Sequence, residues 1–147
     1  MTRLSKARDT VERMSSPPTL PLEGGCHCGG VRFRVTSAKR RIDDCNCSIC
    51  RKKAFLHWIV PRPEFEQLRG DELLGEYRFG TGVARHTFCK RCGVHAFYVP
   101  RSHPTGVSVN YRCLDGSAEP SFAARHGFEI VAFDGQNWEA NVERIRT

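Results

Sequence analysis

The sequence predicts a mainly β, zinc-stabilised small domain with one short C-terminal helix. Short segments that alternate apolar and polar residues recur along the chain, and this period of two is the pattern of half-buried strands. Glycine and proline separate these segments, whereas only the final stretch has helical spacing. Seven of the eight cysteines fall into three close groups, a distribution that is typical of metal ligands.

The length of the chain limits how it divides into domains. Its 147 residues are enough for one domain with a hydrophobic core and too few for a well-packed second one. Residues 1–21 are polar and charged and contain Ser15-Ser16-Pro17-Pro18, which predicts a flexible N-terminal tail. We therefore expect a single zinc-binding domain over residues 22–147. The alternative role for the tail is a docking segment for a partner.

The chemistry of the cysteines depends on the cellular compartment. The first ten residues lack the apolar core of a signal peptide, and no apolar run approaches membrane-spanning length. We therefore expect an intracellular protein, in the cytoplasm, the nucleus or both, with no membrane contact. Disulfides are disfavoured there, so the clustered thiols are predicted to be metal ligands or catalytic groups. The alternative, a disulfide framework, fits poorly because the thiols of a Cys-x-Cys pair are too close to bridge easily.

The first predicted elements surround the first thiol pair. Cys26 and Cys28 are flanked by glycines on both sides, and glycine lets a backbone wrap closely around a metal ion. The segment that follows alternates apolar and basic residues, so we predict a strand that buries Val31, Phe33 and Val35.

The remaining strands follow in chain order and are separated by turn residues. They are predicted at residues 55–60, 65–68, 74–79, 84–88, 96–99, 106–111 and 128–133. The strand at 55–60 is strongly apolar, so we expect it to be buried. The helix is predicted at 137–145, where Trp138, Val142 and Ile145 share one face.

The spacing of the cysteines predicts two different metal sites. A structural zinc takes four protein ligands, whereas a catalytic zinc takes three and keeps one position open. The predicted sets, for two Zn²⁺ ions per chain, are Cys26, Cys28, Cys89 and Cys92 at a structural site, and Cys45, Cys47 and Cys50 at a labile, catalytic one. In the alternative arrangement both sites are structural, and the second zinc takes a fourth ligand from Cys113, His27, His57, His86 or His95.

The formal net charge of +7 is in part a counterweight to these thiols. Seven thiolates on two Zn²⁺ ions would reduce it to +4. Between Arg32 and Lys53 the chain contains eight lysines and arginines but only two acids, Asp43 and Asp44. A basic rim of this kind around the central thiols attracts an anionic ligand.

Three cysteine motifs, in this order, resemble those of the glutathione-dependent formaldehyde-activating enzyme family. They are Gly25-Cys26-His27-Cys28-Gly29, Cys45-Asn46-Cys47-Ser48-Ile49-Cys50 and Phe88-Cys89-Lys90-Arg91-Cys92-Gly93. Supporting segments lie at 97–102, 112–115 and 133–138, and the likeness is nearest to the centromere protein V-like branch. The resemblance implies a zinc-stabilised, Mss4-like β fold, with the outer pairs on a structural zinc and glutathione bound near a second, labile zinc. It also implies a carbon–sulfur lyase reaction that joins formaldehyde and glutathione into S-hydroxymethylglutathione.

Electrostatics favour a thiol-binding role for the central group. Three thiolates on one Zn²⁺ leave a charge of about −1, which suits a fourth, exogenous thiolate better than the generation of hydroxide. We expect the sulfur of glutathione or a similar small thiol to stay deprotonated there and to attack formaldehyde. Arg51, Lys52 and Arg112 are predicted to bind the carboxylates of glutathione. The alternative is that the protein carries the adduct rather than forms it.

A second class of function is a non-catalytic binding module of the centromere protein V-like kind. Its basic segment, from Arg32 to Lys53, would contact an acidic partner such as nucleic acid or the cytoskeleton. Nucleic-acid binding favours exposed aromatic residues among the basic ones. Phe33, Phe55 and Trp58 lie instead in alternating or apolar runs and are predicted to be core. The sequence therefore favours the enzyme over the binding module.

Overall fold

The computed structural model describes residues 20–146 and confirms a mainly β domain. Its strands are β1 (Leu22–Gly25), β2 (Arg32–Val35), β3 (Arg41–Cys45), β4 (Leu56–Pro61), β5 (Phe65–Arg69), β6 (Leu74–Tyr77), β7 (His86–Cys89), β8 (Phe97–Tyr98), β9 (Gly106–Asn110) and β10 (Glu129–Phe133). Its one-turn helices are α1 (Cys50–Lys53), α2 (Phe122–Arg125) and α3 (Trp138–Asn141). Within residues 20–146, no helix is long and apolar enough to cross a membrane. The predicted tail, apart from its last two residues, lies outside the described residues.

The strands form three sheets. The strands β1, β2 and β5 make an antiparallel sheet, and β6 and β7 pair as an antiparallel hairpin. The largest sheet has the order β10-β3-β4-β9-β8, and its only parallel pair in the described chain is β10 with β3. Parallel neighbouring strands need a long connection, and here β10, near the end of the chain, returns to pair with β3.

One face of the five-stranded sheet builds the hydrophobic core. Trp58 lies opposite Val109, and Val60 lies opposite Val107, across β4 and β9. Phe97 of β8 also faces Val109. All five side chains are buried in one cluster, so their removal from water stabilises this sheet.

The core residues predicted on and near β2 are buried. Val31, Phe33 and Val35 are at most 1% exposed, which confirms the predicted alternation. The Phe33 ring lies 5.9 Å from that of Phe65, centroid to centroid, and 6.2 Å from that of Phe97. The three-stranded sheet therefore packs on the core face of the larger one.

The opposite face of the five-stranded sheet carries polar and aromatic side chains. His57 of β4, Ser108 of β9 and Tyr98 of β8 project from this face, and Asp43 of β3 lies directly opposite His57. All four are buried nonetheless. Buried polar groups need partners or a ligand, so this face is where a site is expected.

Two strands were missed by the sequence prediction. In β1, a side chain at Gly24 would collide with the carbonyl oxygen of Cys113, so this glycine permits close packing of a strand. No strand was predicted at Asp43 and Asp44, although β3 pairs on both edges inside the sheet. Tertiary pairing therefore outweighed local composition in both strands.

The C-terminal helix is present but shorter than predicted. Instead of one helix over residues 137–145, α3 is followed by a 3-10 turn at Val142–Arg144. Val142 is buried, and Trp138 and Ile145 pack beside Phe133, so the predicted apolar face is confirmed. The single-turn helices α1 and α2 were not predicted, because one turn is too short to show a helical period.

Candidate metal centres and active-site cavity

The outer thiols meet in one cluster, although two turns far apart in sequence supply them. Cys26 and Cys28 lie between β1 and β2, whereas Cys89 ends β7 and Cys92 lies in the turn after it. The four sulfurs lie within 4.8 Å of one another, with 3.5 Å from Cys26 to Cys28 and 3.7 Å from Cys28 to Cys89. Tetrahedral zinc with Zn–S bonds of about 2.3 Å spaces its sulfurs about 3.8 Å apart. The cluster therefore fits a four-coordinate ion.

The backbone around these thiols supports negative charge on sulfur. The Val31 N–H donates to the Cys26 sulfur at 3.3 Å. Although burial raises the pKa of Cys92, hydrogen bonds from the backbone at Cys28 and Val94 lower it to about 6. Thiolates are the form that binds metal, so the turns favour the ligand state.

The central thiols form a second cluster at the edge of the polar sheet face. Cys45 ends β3, Cys50 begins α1 and Cys47 lies in the turn between them. The three sulfurs lie within 4.8 Å of one another, and the Cys50 N–H donates to the Cys47 sulfur at 3.4 Å. Hydrogen bonds with the Cys45 and Cys50 thiols lower the pKa of Cys47, whereas hydrogen bonds with the Cys45 and Cys47 thiols raise that of Cys50. The three thiols thus form a set that can hold a metal ion.

A loop from the C-terminal end of the chain lies over the central thiols. Gly135 is so close that a Cβ there would collide with the Cys45 sulfur and would lie 3.0 Å from the Cys47 Cβ. The Asn46 N–H donates to the Phe133 carbonyl at 3.2 Å, and the Gln136 N–H donates to Asn46 Oδ1 at 3.1 Å. These bonds fix the loop against the thiol turn.

The central thiols line a cavity of about 440 Å³. Its other walls come from the polar sheet face, the β6–β7 loop and the C-terminal segment. The side chains that line these walls include Asp43, His57, Phe79, His86, Tyr98, Arg101, Phe133, Trp138 and Ile145. None of the four outer thiols is among the lining residues of the described chain. The two clusters therefore differ in their access to a small ligand.

A buried polar chain crosses one wall of the cavity. Nδ1 of His57 lies 3.0 Å from Ser108 Oγ and 3.2 Å from the Tyr98 hydroxyl. Burial lowers the pKa of His57 to about 3 and raises that of Tyr98, so both side chains are neutral near pH 7. The sequence predicted His57 as part of a buried strand and, alternatively, as a metal ligand, and it gave Tyr98 and Ser108 no role in a site.

A lysine with restricted exposure lies behind the same wall. Lys53 Nζ is 3.1 Å from Nδ1 of His86 and 4.5 Å from the centroid of the Tyr98 ring. The His86 ring stacks on Tyr98 at 4.8 Å and on Phe79 at 5.4 Å. Burial lowers the pKa of Lys53 to about 8 and that of His86 to about 4. This packed group gives the cavity a rigid side.

The cation that lines the cavity is Arg101. Its guanidinium lies 3.7 Å from the centre of the Trp138 ring and 3.7 Å from the exposed carboxylate of Glu139. Arg101 was not predicted as a ligand residue, although it directly follows the Pro100 that ends a predicted strand. A basic side chain at a strand end, after a turn residue, is the signal that could have found it.

The predicted glutathione-binding residues lie elsewhere. Arg51 and Lys52 are exposed on α1, and Arg112 is exposed in the turn after β9. The lining residues of the described chain do not include them. Their role stays a prediction, and it concerns parts of a ligand that extend beyond the cavity.

The alternative fourth ligands do not join the central cluster. Among residues 20–146, neither Cys113 nor any histidine has a ligand atom within either group of thiols. The Cys113 sulfur contacts the His95 carbonyl oxygen at 3.8 Å, and burial raises the pKa of this thiol to about 12. The described chain therefore offers three close ligands to a metal ion at the cavity.

Known proteins are similar to this chain in sequence and in fold. The family model of the glutathione-dependent formaldehyde-activating enzyme matches residues 21–129, which include all seven clustered thiols. A Halomonas elongata protein, provisionally named a glutathione-dependent formaldehyde-activating enzyme, is 62% identical over 34 residues, which are 22% of this chain and 22% of that protein. The crystal structure of a Rhodobacter sphaeroides protein is 31% identical with a TM-score of 0.63, over 76% of this chain and 99% of that one.

The match to the Halomonas protein is short, but the family match covers most of the chain and agrees with the geometry of both thiol clusters. The segment that carries β10 and Gly135 begins where the family match ends, yet it completes the cavity around the central thiols. The chain belongs to the glutathione-dependent formaldehyde-activating enzyme family.

Proposed function

We propose that this protein joins formaldehyde and glutathione into S-hydroxymethylglutathione, a reaction of the carbon–sulfur lyase class. One observation carries the proposal: the three central thiols line a cavity, whereas the outer thiols do not. The family match names the two reactants. A cavity of about 440 Å³ has room for the thiol arm of glutathione together with a one-carbon aldehyde.

Two Zn²⁺ ions would have different roles. Cys26, Cys28, Cys89 and Cys92 would hold a structural ion, and Cys45, Cys47 and Cys50 would hold the second. Bound to the central thiols, zinc would act as a Lewis acid that favours the thiolate form of an arriving thiol. In this proposal the central cysteines are catalytic because they would bind the zinc ion that the sulfur of glutathione approaches.

The chain's own residues then bind and orient the reactants. Arg101 receives a carboxylate of glutathione, because its present partner Glu139 is exposed and 3.7 Å away. Phe133, Trp138 and Ile145 form an apolar wall that excludes water from the reacting atoms. We retain Arg51, Lys52 and Arg112 as candidate contacts for the parts of glutathione outside the cavity.

The reaction itself is a simple addition. The thiolate sulfur attacks the carbonyl carbon, a C–S bond forms, and the π electron pair of the carbonyl moves to oxygen. Solvent returns to that oxygen the proton that the thiol lost on binding, so thiol plus aldehyde gives the hydroxymethyl adduct.

The test combines exchange spectroscopy with metal analysis. Wild type should accelerate exchange between free glutathione and its formaldehyde adduct, whereas Cys47→Ser should lose this acceleration and about one metal ion per chain. Cys113→Ser is the matched control, since that thiol belongs to neither cluster and should leave both readouts unchanged. A Cys47→Ser protein with two zinc ions and unchanged exchange contradicts the proposal. Tight binding of the adduct without accelerated exchange identifies a carrier instead.

The aromatic residues near the basic segment do not support the binding-module alternative. Phe33, Phe55 and Trp58 are at most 1% exposed, so they cannot stack on the bases of a nucleic acid. A salt-dependent shift on nucleic acid or tubulin, with no response to glutathione, would support that alternative over the enzyme.

A further inference from the structure

His57 lines the cavity, and one of its polar atoms has no partner in the described part of the chain. The side chain is buried and lines the cavity, and its Nε2 has no hydrogen-bond partner among residues 20–146. The carboxylate opposite it, on Asp43, is already engaged by Arg41 at 2.8 Å. A buried polar atom without a partner is unfavourable, so a ligand that reaches Nε2 gains a contact the protein alone does not provide.

The partners of Nδ1 determine what Nε2 offers. Ser108 is fully buried, and Nδ1 is the partner that its hydroxyl has in the described chain, at 3.0 Å. We therefore assign the Ser108 hydroxyl as the donor and Nδ1 as the acceptor. A neutral ring that accepts at Nδ1 carries its proton at Nε2, so the unmatched atom is a donor.

The surroundings keep this ring neutral and fixed. Burial, followed by the positive charge of Lys53, lowers the pKa of His57. The ring lies 4.7 Å from that of Phe55 and 5.6 Å from that of Tyr98, centroid to centroid. A neutral, packed N–H donor in the same cavity as a group of thiols is suited to bind an oxygen that becomes negative during reaction.

We propose that His57 is a catalytic residue whose Nε2–H binds the aldehyde oxygen during attack by the thiol, and afterwards binds the hydroxyl group of the adduct. The inference rests on the proposed function and names the group that receives the oxygen. No proton leaves His57, because the alkoxide takes its proton from solvent. Ser108 is a positioning residue that fixes the tautomer.

The test compares two ligands of nearly equal shape. S-hydroxymethylglutathione, formed in solution from glutathione and formaldehyde, has a hydroxyl where S-ethylglutathione has a methyl group. Calorimetry should show that wild type binds the hydroxymethyl compound about tenfold more tightly. His57→Phe should bind both equally and should lower adduct formation about 100-fold.

Three further variants separate a hydrogen bond from a structural role. His57→Gln keeps an N–H donor and should retain most of the preference for the hydroxymethyl compound. Ser108→Ala should weaken this preference, because the proton of His57 is then no longer kept on Nε2. His126→Phe, a histidine outside the cavity, is the matched control and should behave as wild type. Metal content and circular dichroism establish that each variant is folded, and Ser108→Ala tests the inference even where His57→Phe does not fold.

The outcomes distinguish this inference from the proposed function. Equal binding of the two ligands by wild type, or an unchanged preference in folded His57→Phe, overturns the role of His57 and leaves the proposed function standing. If His57→Gln loses as much of the binding preference as His57→Phe does, the role of His57 is also overturned. Failure of wild type to bind either glutathione derivative overturns both.

Discussion

Gly135 and Cys45 are in such close contact that any side chain at position 135 would occupy the space of the cysteine sulfur. We predict that Gly135→Ala displaces the loop from the central thiols and lowers their affinity for zinc about tenfold, because groups packed around ligands control their orientation. Competition with a coloured chelator measures this affinity. Ser48→Ala, in the thiol turn itself, adds no atoms and should keep native affinity. Native zinc binding by Gly135→Ala would show that the loop does not support the site.

The two thiol clusters should differ in what they contribute to folding. Cys89→Ser removes a buried ligand that joins β7 to the turn after β1, so we predict loss of the cooperative fold, because a structural zinc supplies folding free energy. Cys47→Ser should remain folded with a thermal midpoint within a few degrees of wild type. Circular dichroism during heating tests both. A stably folded Cys89→Ser protein would show that packing alone holds the fold together, without a metal ion on the four outer thiols.

The stability of the domain should fall in mild acid partly because of His57. Its pKa of about 3 in the folded state lies below the value of about 6.5 for an unfolded histidine, so only the unfolded chain takes up this proton in between. The stabilising contribution is therefore complete above pH 6.5 and is lost progressively as the pH falls towards 3. Between pH 7 and pH 5, wild type should lose about 2 kcal/mol more unfolding free energy than His57→Gln, at about 1.4 kcal/mol per pH unit below 6.5. Urea titrations at the two pH values measure the difference, and parallel curves would contradict it.

Arg101 should contribute more to glutathione binding than the exposed basic residues do. We predict that Arg101→Ala weakens binding about tenfold, whereas Arg51→Ala and Lys52→Ala each change it less than about threefold, because exposed charges are screened by solvent. Calorimetric titration with glutathione at two salt concentrations provides the comparison. Arg101→Lys keeps the charge and should recover part of the affinity. The reverse order of effects would place the carboxylates of glutathione on α1.

The fold class and both thiol clusters were predictable from the sequence for a definite physical reason. Paired cysteines in glycine-rich turns have few roles other than metal binding, and the alternation around Phe33 marks a half-buried strand. The acids of β3, by contrast, concealed a strand whose pairing with β4 and β10 involves residues far away in sequence.

The walls of the cavity could not be predicted in the same way. His57, Tyr98 and Ser108 come from three strands and meet only through the registers of the sheet. A single histidine, tyrosine or serine has no spacing partner that would mark it in the sequence. Likewise, the basic excess near the central thiols pointed to Arg51 and Lys52 and not to Arg101. A count of charges does not show which basic side chain faces the cavity.

The parallel pairing of β10 with β3 has a consequence for how the protein is assembled on the ribosome. Cys92 completes the outer set of thiols, so these four thiols can come together while the rest of the chain is still being synthesised. The central thiols acquire their cover only after β10 and Gly135 have emerged. The thiols of the outer set are therefore complete in the chain before the segment that closes the cavity has been made.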